Sequence, residues 1–396
     1  MIFDTRDNVS WWLRIIAVAL SIAIIVTGGL LIGWNAFFSQ MSEEQYLASE
    51  GVDIDDSSIS EDGMLDSSEE EEPTPPADET PDPNADATPI PTIKPSALTN
   101  LKSNIKNWIN NGSPVRDDNV INILLIGMEN NDSKGNPRPL SVNGRADAMM
   151  IASVNKTTKT ITLASLMRDQ YSYIVNNGTG TYEKLHHALS KGGPDKQIEM
   201  IERYYKIVID NYVIVNFDTL PKVIDAVGGV DIELTDNEAE FLKNSCGWDI
   251  EPKAQKMHVN GSYALTYMRI RKGNTGGDTA RVGRQKKVII ELISQAKDYT
   301  PAQMVSVVTT IIPNIRTGLS SNDVLAYATT ALSEGWLKYE IKQVTLPDGN
   351  SAKGFTNSED GLWYWKVDYP VAAQQLQLAL YNKTNISLDP NRKKWI

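Results

Sequence analysis

The sequence predicts a layered α/β domain, an α-β-α arrangement in which helices cover both faces of a central mixed sheet. Apolar runs of strand length, above all VINILLIGM at 120–128, are typical of strands buried on both faces. Amphipathic stretches of helical length alternate with these runs, which favours a sheet packed between two layers of helices. A hydrophobic fraction of 41% in 396 residues is enough for such a core.

Hydrophobic patterning and turn residues place each element along the chain. Helices are predicted at 98–112, 197–205, 220–227, from 279 onward, 301–311, 321–334 and 370–382. Strands are predicted at 120–128, within 146–155 and 159–167, and at 212–217, 230–234 and 340–347. Gly228 and Gly229 are expected to end one of the helices, since glycine adopts the left-handed conformation common after a helix.

An apolar segment near the N-terminus predicts a membrane anchor at 11–38. Residues 15–42 carry no charge and are long enough to cross a bilayer, with Trp and Phe at both ends. Arg6 and Arg14 precede the segment and acidic residues follow it, so we expect the tail at 1–10 to be cytoplasmic. A cleaved signal peptide is the alternative, but the run is long for one and no cleavage site follows cleanly. We expect a single-pass protein of the cell membrane with its main domain outside the cell.

The acidic charge of the chain is concentrated after this anchor. The formal net charge is −12, yet residues 42–92 alone hold 17 acidic residues and no Lys or Arg. Such a segment, rich in Pro and Ser, cannot bury enough apolar surface to fold, so residues 39–97 are predicted to be a disordered spacer. Residues 93–396 hold 36 basic and 31 acidic residues, so the predicted domain at 98–396 suits an anionic substrate. The single Cys246 excludes an intrachain disulfide and a Cys-based zinc site.

A basic cluster near the middle of this domain suits a phosphate ligand. It consists of Arg269, Arg271, Arg281, Arg284 and Gln285. The first two are two residues apart, so an extended segment would point both to one face. Asp278 is predicted to cap a helix starting at 279, on which the other three share a face. Arginines in a first helical turn oppose the helix dipole, and a bound phosphate or pyrophosphate would compensate this cost. A solvated basic face is the alternative that the spacing leaves open.

Other charged residues follow predicted strands, where α/β folds place their ligands. Glu129 comes directly after the first strand, and Asp147 lies at the start of the next, beside Arg145. Arg168 and Asp169 end the third strand. Two carboxylates that share a hard cation, together with arginines, are typical of metal-assisted phosphoryl transfer.

Six blocks of the sequence resemble, in the same order, the LytR-CpsA-Psr family. They are LLIGMEN, GRADAMMIASVNKTTKTITLASLMRDQY, KLHHALSKGG, VIVNFDTLPKVIDAVGGVDIEL, ALTYMRIR and DTARVGRQ. The ordered set is far more specific than any single block, and the anchor and spacer also match the family's layout. The resemblance implies an enzyme that moves a phosphoglycan from a polyprenyl-pyrophosphate carrier to a sugar hydroxyl of peptidoglycan. Polyprenyl phosphate would be released, and the prenyl tail would lie in an apolar channel inside the domain.

The resemblance also implies roles for individual residues. Magnesium would be the cofactor, held by Asp147 and Glu129. The expected catalytic residues are Arg168, Asp169, Arg281 and Arg284. The expected pyrophosphate-binding residues are Arg145, Lys184, Arg269, Arg271 and Gln285. Asp278 matches the acid of the family's Asp-x-x-Arg-x-x-Arg-Gln motif.

The sequence departs from the family pattern at three points. Glu129 stands where the family usually has Asp, which lengthens the ligand arm by one methylene. Met167 replaces a Pro, and His186 replaces an Asn and is followed by His187. The two histidines could serve as metal ligand or base, but we expect a loop or helix role because neighbouring histidines generally point apart.

Two other functions remain open at this level. One is a polyprenyl-pyrophosphate phosphatase that uses water as the acceptor. The other is a non-catalytic sensor of prenyl lipids that no longer binds a metal because Glu129 replaces the usual Asp. Asp169 could activate the acceptor hydroxyl or orient Arg168. A nucleic-acid partner is not expected, since the basic domain would lie across the membrane from the chromosome and no recognition helix is present.

Overall fold

The computed structural model describes residues 95–128, 138–176, 178–272 and 274–395. The predicted tail at 1–10, the anchor at 11–38, most of the spacer at 39–97, and Glu129 lie outside this range. No helix within the described range is both long and apolar enough to span a bilayer.

A six-stranded mixed sheet forms the centre of the domain. Its strands are β1 (Val120–Met128), β2 (Ala146–Asn155), β3 (Thr160–Leu166), β6 (Asn211–Val215), β9 (Arg316–Thr317) and β10 (Glu340–Leu346). The order across the sheet is β10-β3-β2-β1-β6-β9. β2 runs antiparallel to β1 and β3, while β6 is parallel to β1 and β10 is parallel to β3. The strands β1, β3, β6 and β10 therefore point the same way, and their carboxyl ends lie along one edge of the sheet.

Nine α-helices surround this sheet in the described range. They are α1 (Pro95–Asn110), α2 (His187–Tyr205), α3 (Leu220–Ala226), α4 (Asp236–Cys246), α5 (Gly261–Arg269), α6 (Gly277–Ala296), α7 (Pro301–Ile311), α8 (Ser321–Ser333) and α9 (Tyr369–Tyr381). Three two-stranded antiparallel sheets complete the described part: β4 (Tyr171–Asn176) with β5 (Thr179–Lys184), β7 (Val230–Leu234) with β8 (Gln255–Val259), and β11 (Ala352–Thr356) with β12 (Trp363–Val367).

Helices cover both faces of the central sheet, as the sequence predicts. On one face, alternate residues such as Leu124 and Ile126 pack with α2 and α9 in the main core. On the other face, Met150 and Leu163 pack against Ile289 and its neighbours in α6. This division follows from the two-residue period of a strand, which sends successive side chains to opposite faces.

A second core lies beside the sheet and is built from α3, α4, α5, β7 and β8. Its centre includes Ile224, Leu242 and Tyr267, and Val288 of α6 joins it. Helix α6 therefore contacts two cores, the sheet on one side and this cluster on the other.

The structure corrects two local predictions in the arginine-rich stretch. Helix α6 begins at Gly277 and has Gly276, not Asp278, at its N-cap, because positive φ angles at both glycines turn the chain into the helix. Arg269 is the last residue of α5 and not part of an extended segment. Asn260 caps α5 by accepting a hydrogen bond from the Tyr263 amide.

Most other predicted elements are confirmed, but several were not foreseen. Helix α2 begins at His187, well before the predicted start, and contains a break at Gly192 and Gly193. Helices α4 and α5, strand β8 and the sheets β4–β5 and β11–β12 were missing from the prediction. Polar residues in α4, β5 and β8 weaken the periodic signal on which such predictions depend.

Candidate active site

A cleft opens at the edge where the parallel strands end. Asp147 lies at the start of β2, and Arg168 and Asp169 closely follow β3. Arg281 and Gln285 reach the same cleft from one face of α6. Four of the predicted site residues, Asp147, Arg168, Arg281 and Gln285, therefore meet here, as expected for an α/β sheet.

Asp147 and Arg168 form an ion pair in this cleft. Arg168 Nη1 donates to Asp147 Oδ1 at 2.7 Å, and the side chains of Arg168 and Asp147 are 19% and 27% exposed. Burial disfavours ionisation of Asp147, yet attraction from Arg168, together with Arg281 and Arg145, outweighs it and lowers its pKa. Asp147 is therefore ionised at neutral pH despite its burial.

Asp169 is clamped between two cations. Lys184 Nζ lies 3.1 Å from Asp169 Oδ1, and Arg168 Nε lies 3.4 Å from Asp169 Oδ2. Burial disfavours its charge, but these two partners prevail and lower its pKa to about 2. A general base works best when its pKa is near the operating pH. Of the two roles that the sequence left open for Asp169, the geometry therefore favours holding Arg168 in its orientation over activating the acceptor hydroxyl.

Two further arginines surround Asp147. The guanidinium of Arg269 lies over the ring of Phe217, 4.1 Å from its centroid. Burial and Arg271 lower the pKa of Arg269, and attraction from Asp147 opposes this shift. Arg145 acts on Asp147 from the residue two before it. The positive charges of Arg145, Arg168, Arg269 and Arg281 thus converge on a single carboxylate.

Phe217 was not predicted from the sequence to belong to the site. It lies just beyond the carboxyl end of β6, the same kind of position that identified Arg168 and Asp169. An aromatic ring carries no charge, so it gave no signal of a phosphate site there. Stacking on such a ring holds a guanidinium plane in place, which gives Phe217 a direct role in positioning Arg269.

Three other residues that were predicted for the site do not line the cleft. Arg284 is buried at 2% exposure and pairs with Glu238, so its guanidinium faces the second core. Arg271 is exposed. Lys184 is buried and paired with Asp169. Asp278 lies in α6, but its side chain is outside the part of the chain that the structure describes.

The two histidines occupy distinct surroundings. Burial lowers the pKa of His186 to about 3, so its ring is neutral at pH 7, with Nδ1 3.2 Å from the carbonyl oxygen of Arg168. The ring of His187 turns to Glu183, 2.9 Å away. The two rings do not point apart as expected, since they meet edge to face with their centroids 4.5 Å apart. His186 also contacts the Arg168 backbone.

The cleft is small and its walls are of two kinds. Polar groups of Asp147, Arg168, Arg281 and Gln285 face apolar atoms of neighbours such as Met149. About 250 Å³ of space lies inside, including its open mouth. Pockets that enclose drug-sized ligands are much larger than the enclosed part of this cleft.

The described residues fit a magnesium ion only in part. None of them forms a group of three or more His, Cys, Asp or Glu side chains able to hold a metal. Asp147 contributes an ionised carboxylate, and one of its oxygens already accepts from Arg168. Because Mg²⁺ is often held by one or two carboxylates together with substrate phosphates and water, the site fits an ion that binds with a phosphate ligand.

Known proteins resemble this chain over most of its length. The model described as the LytR_cpsA_psr family matches residues 92–379. Among curated relatives, the polyisoprenyl-teichoic acid–peptidoglycan teichoic acid transferase TagV of Bacillus subtilis (strain 168) is 35% identical over 173 residues. That match spans 44% of this chain and 43% of TagV, less than half of the relative. A Bacillus anthracis relative that is also named a teichoic acid transferase, TagU, is 29% identical over 272 residues, which is 68% of this chain and 80% of TagU.

Solved structures share the fold. The crystal structure of B. subtilis TagV has a TM-score of 0.52 and 26% identity and covers 68% of this chain and 100% of that one. Protein gbs0355 from Streptococcus agalactiae has a TM-score of 0.57 and covers 68% and 90% of the two chains. Its 23% identity supports likeness of fold alone. Because the family model spans most of the chain, this protein belongs to the LytR-CpsA-Psr family.

Proposed function

We propose that this protein is a phosphotransferase that attaches a phosphoglycan to peptidoglycan. It would take the phosphoglycan from a polyprenyl-pyrophosphate carrier. The observation that carries this proposal is that Arg145, Arg168, Arg269 and Arg281 all attract Asp147, and that two of them, Arg168 and Arg281, line the cleft with it. Four cations outweigh the charge of one carboxylate, and the surplus suits a second anion. The activity of the relatives TagU and TagV, transfer of teichoic acid from a polyisoprenyl carrier to peptidoglycan, supports the same class of donor and acceptor.

The reaction exchanges one phosphorus–oxygen bond for another. The acceptor hydroxyl oxygen bonds to the phosphorus attached to the glycan and loses its proton, which passes to solvent or to the leaving phosphate. The bond from that phosphorus to the bridging oxygen breaks, and polyprenyl phosphate leaves. Catalysis of such transfers is mainly positioning and stabilisation of charge. The arginines of the cleft would hold the phosphoryl oxygens, and Asp169, with its lowered pKa, would hold Arg168 in place rather than accept the proton.

Magnesium would be held by Asp147 and by Glu129 and would neutralise charge on the phosphate oxygens. Ionised Asp147 faces the cleft, which supports this assignment. Gln285 lines the same cleft as a neutral hydrogen-bonding group. Lys184 would act through Asp169 rather than on the ligand, because its amine is 3.1 Å from that carboxylate.

The prenyl chain would follow the sheet face that α6 covers. Leu166, Met149 and Val282 line the apolar side of the cleft. Val154 and Ile293 belong to the apolar cluster between the sheet and α6 and are only partly buried. An apolar path from the phosphate cleft along this face would suit a polyprenyl tail. The uncleaved anchor at 11–38 would hold the domain outside the cell, beside the membrane that contains the carrier.

The proposal is tested with the full-length protein in detergent. It is incubated with a polyprenyl-pyrophosphate glycan and peptidoglycan oligomers, with Mg²⁺ or with EDTA, and products are identified by mass spectrometry. We expect a Mg²⁺-dependent phosphodiester adduct that falls by about 100-fold or more in Arg281→Ala, since a donor to the transferring phosphoryl group is lost. The adduct should be retained in Lys287→Ala, an exposed residue of the same helix.

Two other outcomes would point to the rival functions. Free phosphorylated glycan without adduct would indicate a phosphatase. Lipid binding without any product, unaffected by EDTA and by Arg168→Ala, would indicate a sensor and refute the enzyme.

A further inference from the structure

Arg284 fastens both ends of the loop that follows Arg269. Its Nη2 donates to the carbonyl oxygen of Ile270 at 2.5 Å, and its Nη1 donates to that of Thr275 at 3.1 Å. The described residues of this loop span 270–272 and 274–276. One guanidinium therefore ties together the beginning and the end of the loop.

Glu238 of α4 holds this guanidinium in turn. Its Oε1 accepts from Arg284 Nη1 at 2.9 Å, and its Oε2 accepts from the backbone amide of Thr235 at 2.9 Å. The second bond belongs to the capping box that starts α4. Arg284 and Glu238 are 2% and 5% exposed, so the pair lies in the dry interior between α4 and α6. In the sequence, nothing except the capping-box pattern Thr235-x-x-Glu238 marks Glu238, and that pattern does not indicate a partner for Arg284.

The loop clamped in this way begins directly after Arg269. Arg269 itself lies over Phe217 and is within electrostatic reach of Asp147. The position of Ile270, which is 1% exposed, decides where the Arg269 side chain starts. Fixing the carbonyl oxygen of Ile270 therefore fixes the backbone from which Arg269 reaches Phe217 and the field of Asp147.

We propose that Arg284 and Glu238 are positioning residues that set Arg269 against the cleft, and that Arg284 does not bind the pyrophosphate itself. The proposal rests on the proposed function for its ligand and replaces the role that the family resemblance implied for Arg284. A planar guanidinium is required, because its fork reaches a carboxylate and two carbonyls at once, whereas a lysine amine has one donor centre. Breaking a buried pair outright would destabilise the fold, so the informative change keeps the charge.

The test combines Arg284→Lys with Arg269→Ala in a double-mutant cycle on the full-length protein in detergent. The probe is geranylgeranyl pyrophosphate, with its affinity measured by calorimetry. We expect Arg284→Lys to weaken binding about tenfold in the presence of Arg269 and less than about twofold in Arg269→Ala, since the effect passes through Arg269. Full additivity would show direct contact with the ligand and would overturn the proposal.

Hydrogen exchange gives a second readout that does not depend on the ligand. In Arg284→Lys and Glu238→Gln, the amides of residues 270–272, 274 and 275 should exchange roughly tenfold faster or more, while those of β1 keep wild-type protection. Glu240→Gln and Lys287→Met are matched controls, because both residues are exposed on the same two helices. Unchanged exchange in the loop would overturn the clamp. Faster exchange in the variants, together with a wild type that fails to bind the probe, would retain the clamp and refute the proposed function.

Discussion

Replacing Asp169 by Asn should lower the free energy of unfolding by about 2 kcal/mol at pH 7. Asn keeps the shape of the side chain and removes its charge. In the folded protein the pKa of Asp169 is about 2, against an ordinary value of 3.8. Each unit of difference in pKa between the folded and unfolded states corresponds to about 1.4 kcal/mol, which gives the expected loss. The side chain is only 13% exposed, so little of this is lost to solvent screening.

The sign of the pH dependence provides the sharper test. Because the folded pKa is depressed, the stabilisation is fully present above about pH 5 and is lost as the pH falls towards 2. The difference between wild type and Asp169→Asn should shrink from about 2 kcal/mol at pH 7 to about 1 kcal/mol at pH 3. Urea denaturation followed by tryptophan fluorescence at the two pH values measures this difference.

Asp298→Asn serves as control, since that carboxylate is exposed. It should change stability by less than about 0.5 kcal/mol at either pH. A loss in Asp169→Asn that is equal at pH 7 and pH 3 would refute the reasoning. Such a result would show that packing, and not the charge held by Lys184 and Arg168, determines the effect.

Two further predictions concern other parts of the fold. His258 should titrate above pH 6.5 by NMR and nearer 6.5 in Asp231→Asn, because both ring nitrogens face acceptors, Asp231 Oδ1 and Gly228 O, at 2.8 Å. Stability from this contact is present below pH 6.5 and is lost as the pH rises through the raised pKa. Gly283→Ala should stabilise α6 by about 0.5–1 kcal/mol, since nothing lies near its Cβ position. Gly261→Ala should destabilise by about 1–3 kcal/mol, because its Cβ would meet the Pro221 backbone, and thermal melts compare the two.

The candidate site was predictable from the sequence where local chain direction decides it. Arg168 and Asp169 follow β3, and parallel strands bring their carboxyl ends to one edge of a sheet. Asp147 reaches the same edge because β2 runs antiparallel to β3 and starts there. The apolar runs that mark β1, β2 and β3 report burial directly. The helices at 301–311 and 321–333 were placed almost to the residue, since capping residues and a proline mark their starts.

The roles within the arginine cluster were not predictable in this way. Arg281 and Arg284 are three residues apart and were expected to share one face. At about 100° per residue, their side chains differ by roughly 60° around the helix axis. On a helix exposed on one side this difference is small. Helix α6 lies between the sheet and a second core, so the same difference is enough to send Arg281 to the cleft and Arg284 to Glu238.

The sequence by itself determined the layered α/β fold, the family and the strand-end residues of the cleft, because each depends on residues close together in the chain or on ordered motifs. The tertiary structure alone decided which cations face a ligand and which face a buried carboxylate. That choice depends on partners such as Glu238 and Phe217, which are distant in sequence from the arginines that they hold. No local pattern records such distant pairs, since they form only when α4 and β6 have packed against their neighbours.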